Sequence, residues 1–226
     1  MSAFLLIRHA QSTWNATGRW QGQADPPLSD AGTALTVQAA ALLFEQQQFD
    51  LVVTSDLQRA RRTGELLAAG PPGDGLTPDT YPDRPSRPTP RVVVEPRLRE
   101  FHVGDWSGLT RAEIEQRWPS QLALFDSGRL TGAPGGETRA AFDARVQAAA
   151  RRVGRLIARR GPARTLIVTH GGVIRSLVRS AGLEERHIPN LAGYEGTAHS
   201  GGLLLRAPVD LVRQSGSSQI SGPVAL

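Results

Sequence analysis

The stretch Phe4-Leu5-Leu6-Ile7-Arg8-His9-Ala10-Gln11-Ser12-Thr13-Trp14-Asn15 decides how the rest of the chain is read. Four apolar residues in succession, closed by charge, predict a short strand buried on both faces. The run stops at Arg8-His9, a guanidinium and an imidazole placed where a buried strand meets the surface. Four more runs of this kind occur, over 51–53, 92–94, 166–168 and 203–205, and all are read as strands covered by helices. Between them apolar residues recur at helical spacing. Leu57, Ala60, Gly64 and Leu67 make one such stripe, Phe142, Val146, Ala149, Val153 and Leu156 a longer one. Leu28, Leu35, Ala39 and Leu42 make a third, with Ser29 placed to cap it. Strands alternating with helices predict an α/β fold: a single layered domain with a mostly parallel central sheet and helices on both faces.

In such a sheet ligands bind beyond the carboxyl ends of the strands. The first run ends in Arg8-His9, and the second in Thr54-Ser55, with Arg59 one helical turn later. The run over 166–168 ends in Thr169-His170, followed by Gly171-Gly172 and a helix. The run over 92–94 leads to Leu98-Arg99-Glu100, which adds a carboxyl group. Two arginines and two imidazoles brought to one edge describe a receptor for a phosphate dianion, because guanidinium binds phosphate bidentately and imidazole can attack phosphorus. The glycine pair lets backbone N–H groups at a helix start approach the same anion. His9 is the best placed nucleophile. A metal site on His9 and His170 is disfavoured, since the flanking arginines repel a cation and no carboxylate cluster accompanies them. His102, His187 and His199 read as structural.

Composition narrows the chemistry further. The chain has 226 residues, room for one generous domain or two small ones, and at this length about 70% of the unfolded surface can be buried. It has no cysteine, so disulfides, zinc ribbons and thiolate mechanisms are out. All 26 basic residues are arginine, which removes Schiff-base lysines and the Walker-type P-loop. The first residues lack the basic start and the length of a signal peptide, no run is long enough to span a membrane, and a cytoplasmic protein is expected. Residues 1–214 are assigned to the domain. Within it, 70–91 carries seven prolines in 22 residues and is read as an inserted surface loop. Residues 215–226 have linker composition and are expected to be disordered. Arg151, Arg152, Arg155, Arg159, Arg160 and Arg164 cluster at one helix end. Without interleaved aromatics they read as a solvated face rather than a nucleic-acid footprint.

Six ordered blocks from Phe4 to Leu183 resemble the histidine phosphatase superfamily, the phosphoglycerate-mutase-like enzymes. The opening stretch resembles its signature, and Gln21-Gly22 with Asp25-x-Pro27-Leu28-Ser29-x-x-Gly32 the segment after it. Ser55-Asp56-Leu57-x-Arg59-Ala60 resembles the second arginine block, and Leu98-x-Glu100-x-x-x-Gly104-x-Trp106-x-Gly108 the acid block. Gly135-Gly136-Glu137-Thr138 and Thr169-His170-Gly171-Gly172 complete the set. The departures are Ala10 in place of glycine and Gln11 in place of glutamate.

The resemblance implies a metal-independent phosphatase without a cofactor. His9 would be phosphorylated, Arg8, Arg59 and His170 would hold the equatorial oxygens, and Glu100 would serve as proton donor. Asn15, Gln21, Gly22 and Gly171 would bind the phosphate. Relatives that are bisphosphoglycerate-dependent phosphoglycerate mutases carry arginine after the glutamate, asparagine at the position of Gly172 and a further arginine pair that grips a carboxylate. Here Phe101 follows Glu100, and Phe101, Trp106 and Trp20 are expected to shape a pocket for an apolar or mixed leaving group. Such a mutase is one alternative, and a catalytically silent binding module on the same fold is another. The expected partner is a small phosphorylated substrate, with neither nucleic acid nor membrane, and the oligomeric state is left open, a dimer included. Only Arg8 and Arg59 are assigned to chemistry; the other arginines and the net charge of +5 read as solvated surface.

Overall fold

The computed structural model describes residues 2–46, 49–70, 89–159 and 164–213. The inserted segment of 70–91 falls mostly outside these residues, as does the tail from 215. In chain order the elements begin with β1 (Ser2–Arg8), α1 (Thr13–Ala16), α2 (Asp30–Gln46), β2 (Leu51–Thr54), α3 (Gln58–Ala69) and β3 (Arg91–Val94). Two 3₁₀ turns, Pro96–Leu98 and Gly104–Trp106, lead to α4 (Arg111–Arg117), α5 (Pro119–Asp126) and α6 (Arg139–Ala158). Then follow β4 (Thr165–Thr169), α7 (Gly171–Ser180), β5 (Ala192–His199) and β6 (Gly202–Asp210).

The six strands form one sheet in the order β3-β2-β4-β1-β5-β6. The pairs β3–β2, β2–β4 and β4–β1 are parallel, while β5 runs antiparallel to both β1 and β6. Side-chain alternation along β1 divides the core between the two faces. Phe4 and Leu6 pack with Phe142, Val146 and Val153 of α6 and Ile174 of α7. Leu5 and Ile7 pack with Ala39, Ala40 and Leu43 of α2 and Ala60 and Leu67 of α3. A third cluster of Val103, Trp106, Ile114, Leu122 and Ala133 joins α4 and α5 to the loops above the sheet. Among the described residues no helix is long and apolar enough to cross a membrane.

Two strand expectations change. The run over 92–94 is an edge strand rather than a covered one: Val92 and Val94 are 53% and 43% exposed, and among the described residues β3 has a strand neighbour on one side only. β5, absent from the sequence reading, is a full eight-residue strand beside β1. The expected cap is present, with Ser29 Oγ accepting from Gly32 N at 3.0 Å.

The parallel strands β1, β2 and β4 all end at one edge. The helices that follow the neighbours β1 and β4, α2 and α7, lie on opposite faces of the sheet. Chain reversal of this sense opens a crevice between the two strand ends, the usual ligand position in open α/β sheets. His9 and His170 are the residues that leave those two strands.

Candidate active site

The end of β1 is fixed from several directions. His9 N donates to Thr169 O of β4 at 2.9 Å, and Asn190 Nδ2 donates to His9 O at 2.8 Å. Ala10 N donates to the Thr63 hydroxyl at 3.0 Å, which itself donates to Arg59 O at 2.7 Å. One threonine thus ties the turn after His9 to the first turn of α3. The methyl of Ala10 is fully buried in the face shared by α2 and α3, where it is accommodated.

The His9 ring is 3% exposed and its Nδ1 lies 2.7 Å from Ala10 O. A carbonyl only accepts, so Nδ1 carries the proton and Nε2 the lone pair. Burial, reinforced by the charges of Arg59 and Arg8, pushes the His9 pKa well below its ordinary value and keeps the ring neutral. His170 is fully buried, its centroid 5.1 Å from that of His9 at an interplanar angle of 62°. Burial, then Arg59 and His9, lower its pKa in the same way. Neither ring nitrogen of His170 has a hydrogen-bond partner among the described residues. A fully buried imidazole without a partner is costly, and a ligand oxygen would satisfy it.

Arg59 is fully buried and oriented by backbone: its two terminal nitrogens donate to Ala24 O (2.6 Å) and Gly22 O (2.8 Å), and Nε to His9 Nε2 (3.3 Å). Burial lowers its pKa to about 10, with Glu100 and Asp25 opposing, so it stays charged at neutral pH. Gly22 has φ +51°, and a side chain there would meet Val103 Cγ2 at 2.6 Å, so the carbonyl that holds Arg59 depends on glycine. Arg8 donates to Ile188 O at 2.7 Å, while its buried Nε has no hydrogen-bond partner among the described residues.

Glu100 faces these groups. Its Oε1 accepts from Phe101 N at 2.8 Å and its Oε2 from Gly172 N at 3.0 Å. A Cβ at position 172 would stand 2.1 Å from Glu100 Oε1, so glycine there is what admits the carboxylate. The loop bearing Glu100 is held by Arg145 of α6. This guanidinium donates to Arg97 O and Arg99 O, both at 2.8 Å, and to Glu100 O at 3.1 Å. It also meets Glu137 Oε1 at 2.6 Å, and that oxygen accepts from His102 N at 2.8 Å. The Glu137 carboxylate and Arg145 therefore brace the loop on both sides of Glu100.

A cavity of about 420 Å³ opens in front of these groups. Arg8, His9, Asn15, Gln21, Gly22, Arg59 and Glu100 line it, as the sequence reading expects of site residues. His170 and Gly171 are not among the residues lining it: the His170 ring stands edge-on to that of His9, and the helix start reaches the cavity through Gly172. Ser12 sets the two amides. Asn15 Oδ1 accepts from Ser12 N and Gln21 Oε1 from Ser12 Oγ, which leaves both NH₂ groups as the free polar ends. The apolar part of the lining is Trp20, Phe101, Val103, Phe125 and Phe142. Trp106 is not part of it. Its ring is fully buried beneath, edge-on to Trp20 and Phe125 with centroids 5.6 and 5.2 Å away. Four further arginines reach the cavity that the sequence reading left on the surface: Arg19, Arg139, Arg175 and Arg179. Arg175 and Arg179 follow Gly171 at intervals of four on α7, a spacing that could have revealed them. No local pattern marks Asn190.

Taken together, the site offers a neutral imidazole with an outward lone pair, buried guanidinium charge and a carboxyl group, all within one small cavity. This combination can bind a tetrahedral dianion and transfer phosphoryl to nitrogen.

Comparison with known proteins agrees. The family model described as histidine phosphatase superfamily (branch 1) matches residues 4–83 and 84–199. A glucosyl-3-phosphoglycerate phosphatase of Mycolicibacterium vanbaalenii is 39% identical over 137 residues, covering 60% of this chain but only about half, 52%, of that protein's length. A 2,3-bisphosphoglycerate-dependent phosphoglycerate mutase of Methylocella silvestris is 34% identical over 177 residues, 77% of this chain and 78% of that one. Among solved structures, the mycobacterial glucosyl-3-phosphoglycerate phosphatase complexed with VO3 superposes with a TM-score of 0.68 at 30% identity, covering 92% of this chain and 98% of the other.

Proposed function

The chain belongs to the histidine phosphatase superfamily, and from that footing we propose that it hydrolyses phosphomonoesters of a small metabolite through a phosphohistidine on His9. The observation that carries the reading is the His9 ring. Its Nδ1 is tied to Ala10 O, its pKa is driven down by burial and two arginines, and its Nε2 is the basic atom beside Arg59. Nε2 attacks phosphorus, the ester P–O bond breaks, and the leaving oxygen takes its proton from the Glu100 carboxyl. Water then attacks the phosphohistidine, gives its proton to the Glu100 carboxylate, and the N–P bond breaks to restore His9. Arg8 and Arg59 stabilise charge on the equatorial oxygens throughout, and His170 and the amides of Asn15 and Gln21 supply donors.

Hydrolysis is favoured over mutase chemistry by two residues. Phe101 presents an apolar ring to the cavity where mutases carry arginine. Gly172 leaves no space for a side chain while Glu100 is bound to its N–H. The relative that acts on glucosyl-3-phosphoglycerate also supports a phosphatase with a small polar leaving group. The cytoplasm, expected from the sequence, is where charge retains phosphorylated metabolites.

The test is release of nitrophenol from p-nitrophenyl phosphate in the presence of a chelator. Chelator-resistant turnover in wild type, lost by more than about a thousandfold in His9→Ala, is expected for a covalent nucleophile. Retained turnover in His9→Ala, or a strict requirement for added metal, contradicts the reading. Isomerisation of phosphoglycerate driven by bisphosphoglycerate would favour the mutase instead.

A further inference from the structure

The turn between α7 and β5 holds its backbone in an unfavourable conformation. Among the described residues Leu191 is the one non-glycine residue with a positive φ, +59°. A bulky side chain rarely adopts this left-handed region and stays there only where its surroundings over-determine it. Here they do. The Leu191 side chain is buried in the core face shared with α2 and α3, and Ala192 N closes the turn on Pro189 O at 3.2 Å. Leu191 N donates to Arg8 O at 3.1 Å, the Arg8 guanidinium donates to Ile188 O at 2.7 Å, and Asn190 Nδ2 donates to His9 O at 2.8 Å. Residues 188–191 thus place three hydrogen bonds on Arg8, which ends β1, and on His9 after it. Strain held at such a spot points to a task beyond joining two elements.

Asn190 reaches furthest into the site. Its Nδ2 also donates to Asn15 Oδ1 at 3.4 Å, an oxygen that accepts from Ser12 N at 3.1 Å as well. An amide nitrogen carries two donors, so one NH₂ group serves both the carbonyl of the nucleophile and a side chain that lines the cavity. Holding Asn15 Oδ1 from two sides leaves the Asn15 NH₂ free for the cavity. We propose that Asn190 is a positioning residue for phosphoryl transfer, setting at once the His9 backbone and the orientation of the Asn15 amide. This rests on the reading of His9 as nucleophile and deepens it. Both backbone polar atoms of His9 are bound, N to Thr169 O and O by Asn190, so the ring cannot swing with its peptide. In-line attack tolerates little misplacement, since an error of about 1 Å costs roughly a hundredfold in rate. An Asn15 amide turned the other way would present an oxygen to the phosphate in place of donors.

The experiment measures kcat/KM on p-nitrophenyl phosphate, which reports transfer to His9, together with thermal melting of each variant. Asn190→Ala should lose about ten- to a hundredfold. Asn190→Asp keeps the size of the side chain but, when ionised, only accepts. It sets oxygens against His9 O and Asn15 Oδ1 and should lose more than Asn190→Ala. In the Asn15→Ala background Asn190→Ala should cost at least about threefold less, because the amide it orients is gone. Equal cost in the two backgrounds, or an aspartate milder than alanine, overturns the proposal, as does an unchanged kcat/KM whatever the melting temperature. Should Asn190→Ala fail to fold, Asn190→Asp takes its place in the comparison of backgrounds. If wild type does not turn over p-nitrophenyl phosphate, the phosphatase reading itself fails. Asn190 is then judged by calorimetry with inorganic phosphate. Binding weakened about tenfold or more by Asn190→Asp, and much less so in the Asn15→Ala background, supports the proposal, and unchanged binding overturns it.

Discussion

At the scale of single residues the site depends on keeping two imidazoles neutral. His9 and His170 are buried among arginines, and both pKa values are depressed relative to the unfolded chain, where a histidine titrates near 6.5. Below about pH 6.5 the unfolded chain therefore binds protons that the folded protein refuses. Stability from these groups is complete above that pH and falls as pH drops through it, by up to about 1.4 kcal/mol per pH unit for each histidine. Urea unfolding at pH 7.5 and 5.5 should show His170→Asn losing less stability on acidification than wild type. An identical pH dependence in the two proteins would contradict the assignment of a neutral, buried His170. The identities of these residues were legible in the sequence because the strand-end rule needs only short apolar runs followed by chemistry-bearing side chains. Their second neighbours were not. Asn190, which grips His9 O, lies 181 positions away and reaches it only through the fold.

At the scale of elements, α6 does more than cover the sheet. Thr138 Oγ1 caps it by accepting from Ala141 N at 3.2 Å, and the apolar stripe read from the sequence packs as expected. Two turns in, Arg145 binds three carbonyls of the loop that bears Glu100. Arg145 is not among the residues that line the cavity, and it acts on the site through the Glu100 loop as a positioning residue. If it places Glu100 for proton donation, Arg145→Lys should lower kcat/KM for an alkyl phosphate by about ten- to a hundredfold. The loss should be much smaller for p-nitrophenyl phosphate, whose phenolate departs without a proton. Equal losses on the two esters would indicate general disorder of the loop instead. Strands were harder to read than helices. β5 has the sequence Ala192-Gly-Tyr-Glu-Gly-Thr-Ala-His199, whose glycines signal a turn. They are needed by the packing: a Cβ at Gly193 would stand 1.8 Å from Leu6 O, and one at Gly196 would strike the Phe4 ring at 2.3 Å. β3 misled in the opposite sense, since three valines look the same in sequence whether a strand is central or at an edge.

At the scale of the whole molecule the arginine excess divides into two populations. On the outer helix end Arg151, Arg155 and Arg159 are exposed, as a solvated face requires, Arg152 pairs with Glu95 at 2.7 Å, Arg164 is half-buried, and Arg160 lies outside the described residues. In the cavity it assigned too few, because six arginines from β1, the loop after α1, α3, α6 and α7 converge there. Apart from the Gly171, Arg175, Arg179 spacing on α7, arginines drawn from five segments leave no local pattern to detect, whereas the switch from α2 to α7 across the sheet explains why these segments meet. The fold thus collects positive charge at one crevice and leaves a neutral nucleophile at its floor. That arrangement makes a covalent phosphoenzyme the central claim. The direct measurement is rapid-quench mixing of the protein with a ³²P-labelled phosphomonoester, followed by mapping of the labelled peptide. The account predicts a burst of acid-labile, base-stable label that approaches one equivalent, falls on His9, is absent in His9→Ala, and decays more slowly in Glu100→Gln. Phosphate release at the wild-type rate with no label on His9 would contradict it.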